Sequence, residues 1–247
     1  MSLNYSKVGH PLAIVKGGKN DKERIYLSDV EDEKIKSFQK LSITDGQFQQ
    51  IPDTKKERSV GIVIGASGSG KSTWCRNYII EYRKVYKNNP VYLFSHLDED
   101  KTLDDLKIVK RINISENLLE DPLTVKDFKD CLVIFDDVEI ITNKMVKKSV
   151  YQLLDELVMT GRHFNISVIM ISHAGVGNDI KRILQECHFL VYFPWGQNIA
   201  YTLEKYIGLS KQQIRMIKST KSRWASIQKN YPQCVITERH IFMLSSD

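Results

Sequence analysis

Gly65-Ala66-Ser67-Gly68-Ser69-Gly70-Lys71-Ser72-Thr73 follows a short apolar run, Val60 to Ile64, and opens a helix-compatible stretch from Lys71 to Tyr86. Eight of the nine residues are tiny or hydroxylated, and the ninth is a lysine. The spacing fits G-x-x-x-x-G-K-[ST], and the strand before and helix after are the context that motif requires. Glycines let a backbone turn through positive φ and bring its N–H groups close to an anion. A helix N-terminus adds unpaired N–H groups and a favourable dipole. The pattern predicts a phosphate cradle running from Gly65 to Thr73. In it Lys71 reaches the β- and γ-phosphates of a nucleotide such as ATP, and the Ser72 hydroxyl ligates Mg²⁺.

A second apolar run, Cys131 to Phe135, ends in Asp136-Asp137. Beside a phosphate loop, a strand-terminal acid holds magnesium directly or through water. A second carboxylate next to it suits general-base work on the attacking water. Asp136 is assigned to the metal and Asp137 to the water, with Glu139 as the reserve base. A third apolar run, Ile166 to Ile171, ends in Ser172-His173. If its strand lies between the other two, His173 faces the γ-phosphate as a neutral hydrogen-bonding sensor. Arg162 lies just before that strand, at the end of the sheet away from the chain's own phosphate loop. It is read either as a finger reaching a neighbour's site or as a helix C-terminal cation meeting the dipole. Arg182 and Arg223 are rivals for the finger role. Trp195 and Trp224 read as core or rim aromatics.

The chain has 247 residues, 42% hydrophobic and 27% charged, which is ordinary globular composition. No run approaches the length of a membrane span, and the N-terminus lacks the apolar core of a secretion signal. The reading is an intracellular protein. The four cysteines, Cys75, Cys131, Cys187 and Cys234, are scattered and form no CxxC, so they are expected as buried thiols without a structural metal. The formal charge is +6, and the excess lies beyond Ile140. From Lys205 to Thr237 there are seven Lys and Arg and no acidic residue. Composition leaves open a solvated basic face or a polyanion contact.

Strands alternating with helices from Val60 onward predict an α/β fold with a mostly parallel sheet. Residues 1–58 are expected as an N-terminal segment with a hairpin over Pro11–Leu27, a short helix within Asp29–Leu41 and a linker over Gln47–Arg58. Residues 59–200 form the phosphate-loop core, with a helix over Asn178–Glu186 capped by Asn178 or Asp179. Residues 201–247 form a basic C-terminal extension of helices and short strands packed on that core.

The stretches GASGSGKST, LVIFDD, GRHFNISVIMISH and KSRW together resemble the FtsK–HerA group of P-loop ATPases. Within that group the resemblance is to the genome-packaging ATPases of poxvirus-like large DNA viruses and virophages, over roughly residues 60–245. It implies a RecA/ASCE-like fold, with Lys71 and Ser72 on nucleotide and Mg²⁺, Asp136 and Asp137 on metal and water, and Arg162 as the finger. It implies a DNA-stimulated ATPase that assembles as a homo-oligomeric ring, a hexamer or pentamer. Such a ring pumps double-stranded DNA through a capsid or portal component, away from membranes. The implied location is the host cytoplasm or a virus factory, extending to the virion. Many relatives carry glutamine where this chain has His173, and cellular relatives carry Glu where it has Asp137. The competing reading is a small-molecule P-loop kinase, whose turnover responds to a small acceptor rather than to DNA.

Overall fold

The computed structural model describes residues 1–29, 36–195 and 199–244, which form two compact units. One unit is Met1–Lys56 together with His188–Asp247; the other is Glu57–Cys187. The two ends of the chain, read from sequence as separate segments, therefore fold as one body.

In that terminal unit, β1 (Ser2–Asn4), β2 (His10–Lys16) and β3 (Arg24–Ser28) include the expected hairpin, β2 pairing antiparallel with β3. The predicted helix within Asp29–Leu41 falls largely on residues 30–35, outside the described residues. Its last part is extended, with Phe38 bridged to Leu3 and Lys40–Ser42 forming β4. The predicted linker also contains a strand, β5 (Gln47–Gln50). Its Gln49 and Gln50 are buried, and the Gln50 amide oxygen accepts from the Ser226 hydroxyl. Polar side chains that find partners inside the fold carry no apolar alternation, which is why the strand read as a linker.

The central unit holds the glycine-rich loop Gly65–Thr73 and the candidate residues Asp136, Asp137, Arg162 and His173. Its strands are β6 (Val60–Ile64), β7 (Val91–Ser95), β8 (Val109–Asn113), β9 (Cys131–Asp136) and β10 (Ile166–Ser172), with α1 (Lys71–Val85), α2 (Lys101–Asp104), α3 (Asn117–Glu120), α4 (Lys144–Thr160) and α5 (Lys181–Glu186) between or after them. All five strands are parallel, in the order β6-β10-β9-β7-β8. Every residue of β6, β9 and β10 is buried, as expected of parallel strands covered on both faces. Phe94 and Phe135 stack at 4.9 Å between centroids across β7 and β9. β10 sits between the phosphate-loop strand and the acid-bearing strand, with Ser172 opposite Ile64 and Ile171 opposite Asp136. That register brings three strand ends to one line.

α4 shows how the unit fixes its helices. Val146, Val150, Leu153, Leu154, Leu157 and Val158 are buried at helical spacing, and the Asn143 side chain caps the first turn. At the other end, Arg58 donates to Leu157 O at 2.8 Å and Val158 O at 2.6 Å. α5 is shorter than expected: it starts at Lys181 after Ile180, and neither Asn178 nor Asp179 caps it. Asp179 instead meets Lys147 at 3.3 Å.

The chain then returns to the terminal unit through β11 (Phe189–Tyr192), α6 (Ala200–Thr202), α7 (Lys211–Ser219), β12 (Ala225–Gln228), β13 (Cys234–Thr237) and β14 (His240–Met243). The run β11-β12-β13-β14-β4 is antiparallel throughout. All four cysteines are buried free thiols. Among the described residues no helix is long and apolar enough to cross a membrane.

Candidate active site

The loop after β6 has the shape its glycines permit. Gly68 and Gly70 lie at φ 71° and 104°, conformations that a side chain rarely adopts. Gly65 N–H donates to Ser172 O at 3.2 Å, tying the loop to the tip of β10. α1 starts on Gly70 without a side-chain cap and has no acidic residue in its first turn. Its first N–H groups therefore lack a side-chain acceptor, unlike those of α4, and the dipole adds positive potential there. Ser67, Gly68 and Thr73 are exposed, Ala66 and Ser72 half-buried. The Ser69 hydroxyl is buried without a partner.

Lys71 is 6% exposed and lies back across the loop. Its ammonium donates to Gly65 O at 2.8 Å, Ala66 O at 3.0 Å and His173 Nδ1 at 3.3 Å. Burial lowers its pKa from the ordinary lysine value, against the pull of Asp137, Asp136 and Glu139. An ammonium has no lone pair, so His173 Nδ1 must accept from it and the ring proton sits on Nε2. That proton points at Asp137 Oδ1, 2.7 Å away. His173 is thus a neutral bridge between the loop cation and the second acid.

Asp137 stands in the left-handed region at φ 53°, uncommon for a residue with a side chain. Asp136, the last residue of β9, is 3% exposed. Its pKa is pushed up to about 7, first by burial, then by the carboxylates of Asp137 and Asp100, with Lys71 opposing. Four carboxylates, Asp136, Asp137, Glu139 and Asp100, thus act at this place against one ammonium. A divalent cation suits that surplus. Among the described residues no cluster of three or more His, Cys, Asp or Glu could hold a metal. Magnesium needs no such cage: it takes one or two carboxylates plus phosphate oxygens and water.

Two features escaped the sequence. Glu139, read only as a reserve base, accepts from the Ser172 hydroxyl and from His173 N–H (3.1 Å) through Oε1, while its Oε2 is buried without a partner. It clamps the tip of β10 on which His173 stands. Asp100 follows β7 and acts on Asp136 across the strand ends. Its only sequence signal was a place in the acidic stretch LDED.

Of the three arginines, Arg162 and Arg182 belong to the same unit as this cluster and Arg223 to the other. Arg162 precedes β10 and is joined at its Nε to Glu57 at 2.6 Å, both side chains exposed. Seven strand residues separate the ends of β10, about 23 Å at 3.3 Å per residue, so Arg162 does not reach its own loop. Arg182 is exposed on α5, with its charge felt by Asp155. Arg223 belongs to the terminal unit and pairs with Glu238 at 2.6 Å. There Trp195 is exposed and donates its indole N–H to Ser222 O, while Trp224 is buried.

Comparison with known proteins agrees with the P-loop reading of the fold. No protein-family profile matches the sequence. Protein V3 of the Sputnik virophage is 37% identical over 241 residues, covering 96% of each chain. Among solved structures, B204, the DNA-packaging ATPase of Sulfolobus turreted icosahedral virus, superposes with a TM-score of 0.52 at 16% identity, over 74% of this chain and 97% of that one. The cytoplasmic domain of the type VII secretion ATPase EccC from Thermomonospora curvata gives 0.53 at 11% identity, over 81% of this chain and 28% of that one. The kinship with V3 is close and spans nearly the full length of both proteins, and the two solved structures share the fold alone. The chain therefore belongs to the family of the virophage protein V3, built on the P-loop ATPase fold.

Proposed function

We propose that this protein is an ATP-hydrolysing translocase that packages double-stranded viral DNA into a capsid. The observation that carries the proposal is the hydrogen-bonded chain Lys71–His173–Asp137 over the phosphate loop, with Asp136 beside it.

In this reading the amides of Gly65–Thr73 and the uncapped first turn of α1 bind the triphosphate. Lys71 exchanges Gly65 O and Ala66 O for the β- and γ-phosphate oxygens. Ser72 and Asp136 hold Mg²⁺, which supplies charge neutralisation at the transferring phosphoryl group. Asp137 orients the attacking water and takes its proton. His173 couples Lys71 to Asp137, so the position of the base answers to phosphate occupancy. Glu139 acts through His173 as a positioning residue.

Arg162 is proposed to work in a neighbouring subunit's site, since it stands beyond reach of its own. That requires a homo-oligomeric ring, hexameric or pentameric, engaged with a capsid or portal component in the cytoplasm or virus factory. The name of B204 as a DNA-packaging ATPase and the basic stretch after Lys205 support DNA as the track. The paired acids at the end of β9 favour water over a small acceptor as the nucleophile.

The test is steady-state ATP hydrolysis with and without double-stranded DNA, alongside mass by light scattering. The proposal expects turnover that rises with duplex DNA in an oligomer. A monomer indifferent to DNA whose turnover rises with a small phosphoryl acceptor would overturn it in favour of a kinase.

A further inference from the structure

α7 divides sharply into two faces. Ile214 and Ile217 are buried, while Lys211, Arg215 and Lys218, at i, i+4 and i+7, are exposed and share one side. At 1.5 Å per residue these three cations span about 10 Å. Lys221, exposed and at φ 53°, continues past the end of the helix. It then enters the lining of a cavity of about 500 Å³ with Arg223, Arg239 and His240.

The acid in this lining, Glu238, is already engaged. It accepts from the Arg223 backbone and guanidinium and from the Ser222 hydroxyl, and these bonds outweigh its burial to hold its carboxyl below the usual range. Nearby Asp45 accepts from Lys19 N–H. Lys211, Arg215, Lys218, Lys221 and Arg239 take part in no ion pair among the described residues. Burial first, then Lys40 and Arg239, lowers the His240 pKa, a sign of local positive potential. A cation at the last turn of a helix is explained by the dipole, which accounts for Lys218. Lys211 stands at the first turn, where the dipole opposes it, so the dipole does not explain the row.

We propose that the exposed face of α7, continued through Lys221 into the cavity bearing Arg239, grips the phosphate backbone of double-stranded DNA. This rests on the translocase reading and names the surface that holds its track. Lysines and arginines meeting phosphates position a duplex without reading its sequence, as a packaging motor requires.

The test is binding of a labelled random-sequence duplex by fluorescence anisotropy over a salt series, on the full chain without nucleotide. The variant Lys211→Ala/Arg215→Ala/Lys218→Ala/Lys221→Ala is compared with a matched-charge control, Lys101→Ala/Lys107→Ala/Lys126→Ala/Lys129→Ala. The α7 variant is expected to bind at least about tenfold more weakly at low salt. Its log–log salt slope should be shallower by about 0.9 per lost phosphate contact, up to about 3.6. The control keeps the parent's affinity, and both keep the parent's DNA-free ATPase rate. Replacing the three lysines of the α7 row by arginine should retain binding, separating charge from misfolding. Equal binding by the α7 variant, the control and the parent would overturn this surface and leave the translocase reading standing. Tighter capture of single-stranded DNA or RNA by the same residues would overturn the duplex as occupant. A parent that binds no duplex would take down the translocase reading first, and this surface with it.

Discussion

Asp136 makes the candidate site a liability to the fold that holds it. Its carboxyl is 3% exposed, and its pKa rises from an ordinary 3.8 to about 7, through burial and then the neighbouring carboxylates. Below 3.8 both folded and unfolded chains carry the proton, and the group leaves stability alone. As pH rises toward about 7 the unfolded chain releases its proton while the folded one keeps it, so stability falls across that window. Above it the folded protein holds a buried anion. At about 1.4 kcal/mol per pKa unit the whole difference is about 4 kcal/mol at pH 8. Coupling to Asp137 and Glu139 shares that penalty, and half of it is about 2 kcal/mol. For a chain of this size that corresponds to about 4–8 °C in Tm. Asp136→Asn should therefore raise the ligand-free Tm by about that much near pH 8 and by clearly less near pH 4.5, while ATP hydrolysis is lost. Scanning calorimetry across that pH range reads it directly. An Asn variant no more stable than the parent at pH 8, or stabilised equally at both ends, would refute the reasoning.

His173 should be replaceable by a group that both accepts and donates. His173→Gln is expected to keep measurable turnover, whereas His173→Ala loses on the order of 10²-fold in kcat with little change in KM for ATP; an alanine variant as fast as the parent removes the bridge from the account. Arg162→Ala, breaking only an exposed pair with Glu57, should leave Tm unchanged yet cut turnover on the order of 10³-fold. Mixing it with Lys71→Ala subunits should restore part of the rate through interfaces that pair an intact loop with an intact arginine, and absence of rescue counts against action between subunits. Arg58→Ala, which takes the guanidinium from Val158 O and from Leu157 O (the latter still bonded to Gly161 N–H) at the end of α4, should cost about 1–3 kcal/mol in urea unfolding; a loss under about 0.5 kcal/mol would mean water caps that end equally well.

The parts of the fold that were legible are those where one local pattern has one physical meaning. An apolar run ending in glycines and a lysine has few uses, and Cys131–Asp136 and Ile166–Ser172 are buried on both faces, so their sequences are continuous rather than alternating. Lys144–Thr160 was legible for the same reason, its apolar residues recurring at helical spacing. β5 was not, because Gln50 satisfies its polarity with the distant Ser226 and Gln49 with the neighbouring Gln50 O, and neither leaves an apolar mark in the sequence. The start of α5 failed because Asp179 pairs with Lys147 instead of capping. In the site, the loop, the two acids and His173 come from motifs at strand ends. Their joining into one hydrogen-bonded chain depends on β10 lying between β6 and β9. The Glu139 clamp depends on the turn after β9, and no spacing rule announces it.

The proposed activity depends on Lys71 gripping a triphosphate. Nucleotide affinity by titration calorimetry and steady-state turnover, measured on the parent and on Lys71→Ala, test it most directly. The prediction is at least tenfold weaker ATP binding and turnover at background, with the variant still folded. Unchanged affinity and turnover in that variant would contradict the account at its root.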